Sequence, residues 1–293
     1  MAQDLVPVKL DVDGLTITAL GAGESGSGKP LIAALHGGTY TARYFDVAGS
    51  AQGSFMDVAA AGGYQVVSFD RPGYGGSTAL APADNTFDRH AELLAAAVSQ
   101  VAGDRPVMLV GHSIGGMIAL MIAGGHHDFR LVGASVTGMG AVIRRGGAAD
   151  ALASLPPDET IDLPYDQRDM VMFGPPGTFT ADGVEQAHGS YAPTPVRELI
   201  AAPRWADDTL PDLAPRIDVP VHNALAEFDA LWDSTPENVA TFASLLTGAP
   251  FVTASIARGT GHSIDHHILG HALHLRQLAF AEECTQWAGR PQD

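Results

Sequence analysis

The sequence predicts an α/β fold: a mostly parallel sheet with helices on both faces. Three observations carry this. Short, wholly apolar runs such as 30–35 and 107–110 read as strands buried on both sides. These runs alternate with segments of helical character, which implies a parallel sheet built from right-handed crossovers. Between two such segments stands Gly111-His112-Ser113-Ile114-Gly115-Gly116, a serine at a sharp strand-to-helix turn with glycine two residues to either side.

Taken in order, 6–20 alternates as two strands, and Asp13-Gly14 between them is a hairpin turn signal. A Gly/Ser loop, 21–29, leads to the strand 30–35, which ends in His36-Gly37-Gly38-Thr39-Tyr40. A helix is expected over 53–61, closed by Gly62-Gly63, and a strand over 64–69. Asp70-Arg71-Pro72-Gly73-Tyr74-Gly75-Gly76-Ser77 follows, and then a helix over 87–101 with Asn85 or Thr86 near its start. The strand–turn–helix unit around Ser113 comes next, and a strand over 131–137. From 139 the rhythm breaks. Proline and glycine are frequent to about 213, and no parallel-type strand is evident. This reads as an insertion folded in short helices. Strands return at 219–226 and 251–256, with a helix at 236–246 between them and a terminal helix over 264–287. The expected units are a core of 1–138 with 213–293, and an inserted cap of 139–212.

Composition narrows the partners. The 293 residues carry 16 Lys+Arg against 33 Asp+Glu, a net charge of −17. Phosphate-rich partners would be repelled, so neither nucleic acid nor an anionic membrane surface is expected. The first ten residues have no apolar core of signal-peptide length. The most apolar region, 107–123, is interrupted by the serine turn, so no membrane span is expected and a cytoplasmic location is the default. Cys284 is the one cysteine, which excludes an intrachain disulfide and is expected to be structural.

A serine hydroxyl becomes a nucleophile only when a base takes its proton, and that base needs an orienting group. In a parallel sheet such residues belong at the carboxyl ends of strands. Glu227, Phe228 and Asp229 follow one strand, and Gly261-His262 follows another. The order Ser113, Asp229, His262 is the one this turn calls for. Asp233 and Glu227 are the nearby competitors for the acid. Asp229 is preferred, at three residues past its strand. After the 131–137 strand, 137–140 offers no carboxylate. His266 and His267 compete with His262 but fall within the expected helix.

Four motifs now stand in order: His36-Gly37-Gly38, Asp70 to Ser77, Gly111 to Gly116, and Gly261-His262. Together they resemble the α/β-hydrolase superfamily over about residues 5–287, in its serine-nucleophile branch with a cap insertion. The resemblance implies an eight-stranded, mostly parallel sheet. It implies Ser113 as nucleophile, His262 as base and then acid, and Asp229 as the imidazole's partner. It also implies an oxyanion hole from the backbone N–H groups of Gly38 and Ile114. His112 is expected to be a packing residue, and Asp70 and Arg71 to organise their loop. His267, His271 and His274, spaced i, i+4 and i+7, read as a plain helix face, so no metal and no cofactor are expected.

Thr39 and Tyr40, beside the oxyanion loop, are candidate substrate contacts, with Met139 and Trp232. The insertion carries only scattered cations, Arg144, Arg145, Arg168, Arg197 and Arg204, which favours a small, apolar, uncharged substrate. The expected reaction is hydrolysis of a carboxylic ester, lactone or thioester through an acyl-enzyme on Ser113. Carbon–carbon bond hydrolysis, acyl transfer or a lyase or cyclase step would use the same residues. A ligand-binding protein that keeps the fold without catalysis is the alternative from another class. Relatives that use an Asp nucleophile, the haloalkane dehalogenases and epoxide hydrolases, are excluded by Ser113.

Overall fold

Strand alternation assigns the two faces of the sheet. In β3 (Leu31–Leu35), Leu31, Ala33 and Leu35 join one apolar cluster, while Ile32 and Ala34 join another. In β5 (Val107–His112), Val107 and Leu109 join the first and Met108 and Val110 the second. A strand buried on both sides has no polar face to keep, which is why both runs are continuously apolar. The structure is a computed structural model that describes residues 4–24, 28–144, 146 and 155–290.

Eight strands form one sheet in the order β1-β2-β4-β3-β5-β6-β9-β10. The hairpin of β1 (Val6–Val12) and β2 (Leu15–Ala22) lies at one edge, and β2 also pairs antiparallel with β4 (Val66–Phe69). Asp13 and Gly14 both have positive φ, 53° and 77°, as a two-residue turn between right-twisted strands requires. The remaining neighbours, through β6 (Leu131–Thr137), β9 (Val221–Ala226) and β10 (Val252–Ala257), pair parallel.

Helix α1 (Phe55–Ala61) starts behind a Ser54/Asp57 capping box, and α2 (Phe87–Ala102) behind Thr86. One face of the sheet is covered by α2, α3 (Ile114–Ala123) and residues such as Leu210, Leu213 and Phe242. The other is covered by α1 and the C-terminal helix, which supplies Phe280 and the buried Cys284.

Between β6 and β9 the described chain forms helices and one two-residue antiparallel pair, β7 (Thr160–Ile161) with β8 (Thr194–Pro195). Its helices are α4 (Tyr165–Met172), α5 (Ala181–His188), α6 (Val196–Asp208) and α7 (Leu210–Leu213). Arg145 lies outside the described residues. Of the large apolar residues between β6 and β9, Phe173 and Trp205 pack into the core clusters, whereas Met170 is exposed. Helix α8 (Pro236–Leu245) precedes β10.

The terminal helix corrects one expectation. It is α9 (Gly270–Ala288), six residues shorter at its start than the sequence reading, and 264–266 form a separate 3₁₀ turn. Hydrogen bonds from outside the helix account for the difference. His267 is extended, and its Nε2 accepts the N–H groups of Gly174 at 3.1 Å and Gly261 at 2.8 Å. His266 Nε2 meets the carbonyl of Tyr44 at 3.0 Å. His266 and His267 are therefore outside the helix, and the expected His267–His271–His274 helix face does not form. No helix among the described residues is long and apolar enough to cross a membrane.

Candidate active site

The turn after β5 forces Ser113 to φ 52°, a left-handed value that a side chain adopts only at a cost. Close packing holds it there. A Cβ on Gly111 would stand 2.5 Å from the carbonyl oxygen of Gly115, and one on Gly115 only 2.1 Å from that of Leu35. The glycines let helix α3 start directly against β3 and its own strand. The Ser113 N–H donates to the Thr137 carbonyl at 2.7 Å, tying the turn to β6.

Loops at the ends of β9 and β10 deliver the partners. Ser113 Oγ lies 3.1 Å from His262 Nε2. His262 Nδ1 lies 2.9 Å from Asp229 Oδ2 and 3.1 Å from Oδ1. A carboxylate only accepts, so Nδ1 carries the proton and Nε2 is left to accept from the serine. Asp229 is itself fixed: its Oδ1 receives the N–H groups of Leu231 and Trp232 at 2.9 and 3.0 Å. The three residues are buried. The competing acids are engaged elsewhere. Glu227 accepts from Gly259 N at 2.7 Å, and Asp233 from the Asn238 side chain at 3.0 Å.

His112 is a packing residue. Its ring stacks on Tyr44 at 4.4 Å and 7°, and its Nδ1 meets Thr137 Oγ1 at 3.1 Å. Burial, reinforced by the nearby His262, holds its pKa well below the usual imidazole value, so it is neutral.

The loop after β3 lies against the serine turn. A Cβ on Gly37 would meet Ser113 Cβ at 3.0 Å, and one on Gly38 would meet Ile114 Cδ1 at 3.0 Å. Ile114 is the first residue of α3, so its N–H has no partner within the helix. Thr39 follows at φ 64°. Asp70 and Arg71 organise this region. Asp70 accepts from Ala42 N at 2.8 Å and Thr18 Oγ1 at 2.6 Å. Arg71 donates to the carbonyls of His36 and Gly37 at 3.1 and 3.2 Å.

Ser113, His262, Gly38 and Ile114 border a cavity of about 100 Å³ with apolar walls from Met117, Ile143, Val171, Met172, Leu199 and Trp232. Thr39 and Trp232, two of the residues expected to contact substrate, line it. Tyr40 and Met139 do not. Tyr40 is fully buried behind the loop, its hydroxyl 2.7 Å from Ser263 Oγ and its ring edge-on to Tyr44 and Tyr191. Met139 is also fully buried, packed under the turn with its carbonyl accepting from Asn223 at 2.9 Å. Arg168, which sequence reasoning treated only as a scattered cation, lines the cavity while 1% exposed. Glu198, also buried, was not singled out. Neither has a sequence signal, because each is placed by the way the segment between β6 and β9 folds.

A family model described as the alpha/beta hydrolase family matches residues 32–283. No curated protein matches the chain in sequence. Among solved structures, the chain is similar to a variant of the N-acyl homoserine lactonase AidH complexed with N-hexanoyl homoserine. That match has 16% identity and a TM-score of 0.71, and covers 97% of this chain and 98% of that one. It is similar to an esterase from Exiguobacterium antarcticum, with 16% identity, TM-score 0.70 and coverage of 96% and 100%. It is also similar to the thioesterase domain from the curacin biosynthetic pathway, with 19% identity, TM-score 0.66 and coverage of 94% and 99%.

Proposed function

Because the chain belongs to the alpha/beta hydrolase family, we propose that it hydrolyses a carboxylic ester, lactone or thioester through an acyl-enzyme on Ser113. The observation that carries this reading is the unbroken hydrogen-bond chain from Ser113 Oγ through His262 to Asp229, opening on an apolar cavity.

Ser113 Oγ attacks the carbonyl carbon as its proton passes to His262 Nε2. Asp229 stabilises the imidazolium that results. The carbonyl oxygen becomes an anion, held by the N–H groups of Gly38 and Ile114; losing one such donor costs about 10²–10³ in rate. Collapse breaks the bond to the leaving oxygen or sulfur, which takes the proton from His262. Water then gives its proton to His262 and attacks the acyl carbon. The second collapse releases the acid and returns the proton to Ser113.

The cavity favours a small acyl group. A dry cavity of about 150 Å³ holds a benzene-sized molecule, and this one is about 100 Å³. An uncharged acyl chain of a few carbons fits its apolar walls. The nucleophile and the turnover are tested together by incubating the protein with a fluorophosphonate probe and with p-nitrophenyl acetate. Wild type is expected to label and to turn over, and Ser113→Ala to do neither. A wild type that labels but turns over no ester would defeat hydrolysis while keeping Ser113 as an activated nucleophile. One that does neither would defeat the reading altogether.

A further inference from the structure

One buried ion pair beside the cavity takes no part in the proton transfers above. Arg71, in the loop after β4, and Glu198, on α6, meet at 2.6 Å with side chains 0% and 1% exposed. A buried pair of this kind is weak evidence for stability, because removing two charges from water offsets most of their attraction. Its placement is more telling than its energy. Arg71 Nη2 donates to the carbonyl of Gly37, and Nε to that of His36. His36 adds a second donor: its Nε2 accepts the Arg71 backbone N–H at 3.1 Å, so Nδ1 carries the proton and donates to the Gly37 carbonyl at 2.8 Å. Burial and the neighbouring Arg71 keep His36 well below its ordinary pKa, so this neutral form persists.

The Gly37 carbonyl and the Gly38 N–H belong to one peptide unit. In a trans peptide these two groups point in opposite directions. Two donors that fix the carbonyl therefore fix the direction of the N–H. Two residues on, the carbonyl of Thr39 is held in a similar way: it accepts from Ala192 N at 2.9 Å and from Arg168 Nη1 at 3.3 Å. Glu198, Ala192 and Arg168 all belong to the segment between β6 and β9. Leu199, next to Glu198, lines the cavity and comes within 3.6 Å of the space above Gly38.

We propose that Arg71, Glu198 and Arg168 are positioning residues: the first two lock the Gly37–Gly38 peptide and Arg168 locks the Thr39–Tyr40 peptide beyond it, so that the segment between β6 and β9 aims the oxyanion-binding N–H of Gly38. This rests on the hydrolase reading. The clamp acts on the transition state, where the oxyanion exists, and hardly on the ground-state ester. Its loss should therefore appear in kcat rather than in KM. A donor misaimed by about 1 Å costs on the order of 10²-fold, so a loss of about 10- to 100-fold in kcat is expected.

The test compares Glu198→Gln and Arg168→Gln with wild type, using p-nitrophenyl acetate as substrate and an aryl trifluoromethyl ketone as inhibitor. The ketone adds to a serine hydroxyl and carries an oxyanion, so its inhibition constant reports on the hole directly. Both variants are expected to keep KM within about 3-fold. Their affinity for the ketone should fall by the same factor as kcat/KM. Variants that melt at lower temperature but keep kcat and ketone affinity within 2-fold of wild type would overturn the clamp. If Glu198→Gln does not fold, Arg168→Gln decides alone, since the acid that pairs with Arg168, Asp162, is largely exposed. Wild type that turns over with unaffected variants defeats only the clamp. Wild type that neither turns over nor binds the ketone defeats the hydrolase reading and the clamp with it.

Discussion

Asp229 is the residue whose role is most sharply separable from its neighbours. It receives two backbone N–H groups in addition to the His262 contact, so its carboxylate is held independently of the imidazole. Asn in its place can keep the shape but presents an amide that donates, which turns His262 to the tautomer whose Nε2 cannot accept from Ser113. Asp229→Asn is expected to lower kcat on p-nitrophenyl acetate by about 10⁴. Asp233→Asn, which touches Asn238 and not His262, is expected to change kcat by less than about 3-fold. Equal losses in the two variants would remove Asp229 from the mechanism. The position of Asp229 was legible in the sequence because it depends on counting past a strand end, and that strand is a clear apolar run. Tyr40 was not legible in the same way. Adjacency to the His36-Gly37-Gly38 loop places it near the site, but Thr39 at positive φ turns the chain inward, and the Tyr40 ring goes to the core.

At the scale of elements, the unit from β5 to α3 depends on close backbone approach. Gly115→Ala sets a Cβ against the Leu35 carbonyl at 2.1 Å, and Leu35 is held in the sheet by its pairing with β5. Overpacking of this kind costs about 1–3 kcal/mol, and about 2–4 °C of melting temperature accompanies each kcal/mol in chains of this size class. A fall of several degrees in Tm is expected, together with lost turnover as Ser113 shifts. Gly289→Ala is the control. Its Cβ would meet nothing closer than 3.6 Å, so Tm should stay within about 1 °C. An unchanged Tm for Gly115→Ala would mean that the turn is not held by that contact. The same unit shows which elements can be read from sequence. Its strand and helix are continuous apolar runs broken by glycine, and that pattern is set locally. The start of α9 is set from a distance by the groups that His266 and His267 meet, and no pattern within 264–270 records those partners.

The whole molecule has an electrostatic character that its net charge of −17 conceals. Several histidines are buried as neutral rings. Burial pushes His90, His222, His266 and His267 down to about 4, and His36 and His112 well below their usual value. In the unfolded chain each returns to about 6.5. Between those values the unfolded state binds more protons, so stability rises with pH. The contribution of these residues is complete above about pH 6.5 and is lost as pH falls toward 4. The chain's acidity acts in the opposite sense, because protonation brings a strongly negative surface toward neutrality and relieves self-repulsion. Surface repulsion is screened beyond about 8 Å at physiological salt. The buried rings are not screened, and at pH 5 each costs on the order of 1 kcal/mol or more. The histidines therefore win. Tm in 150 mM salt is expected to fall steadily from pH 7 to pH 5, with net proton uptake on unfolding measured by calorimetry in buffers of different ionisation enthalpy. Asp265, held near 2 against its burial by His274, adds a second loss as pH drops below 4. A Tm that is flat or rises between pH 7 and 5 would mean that these rings are hydrated enough to titrate in the folded protein, and that the packing around the site is looser than their burial implies.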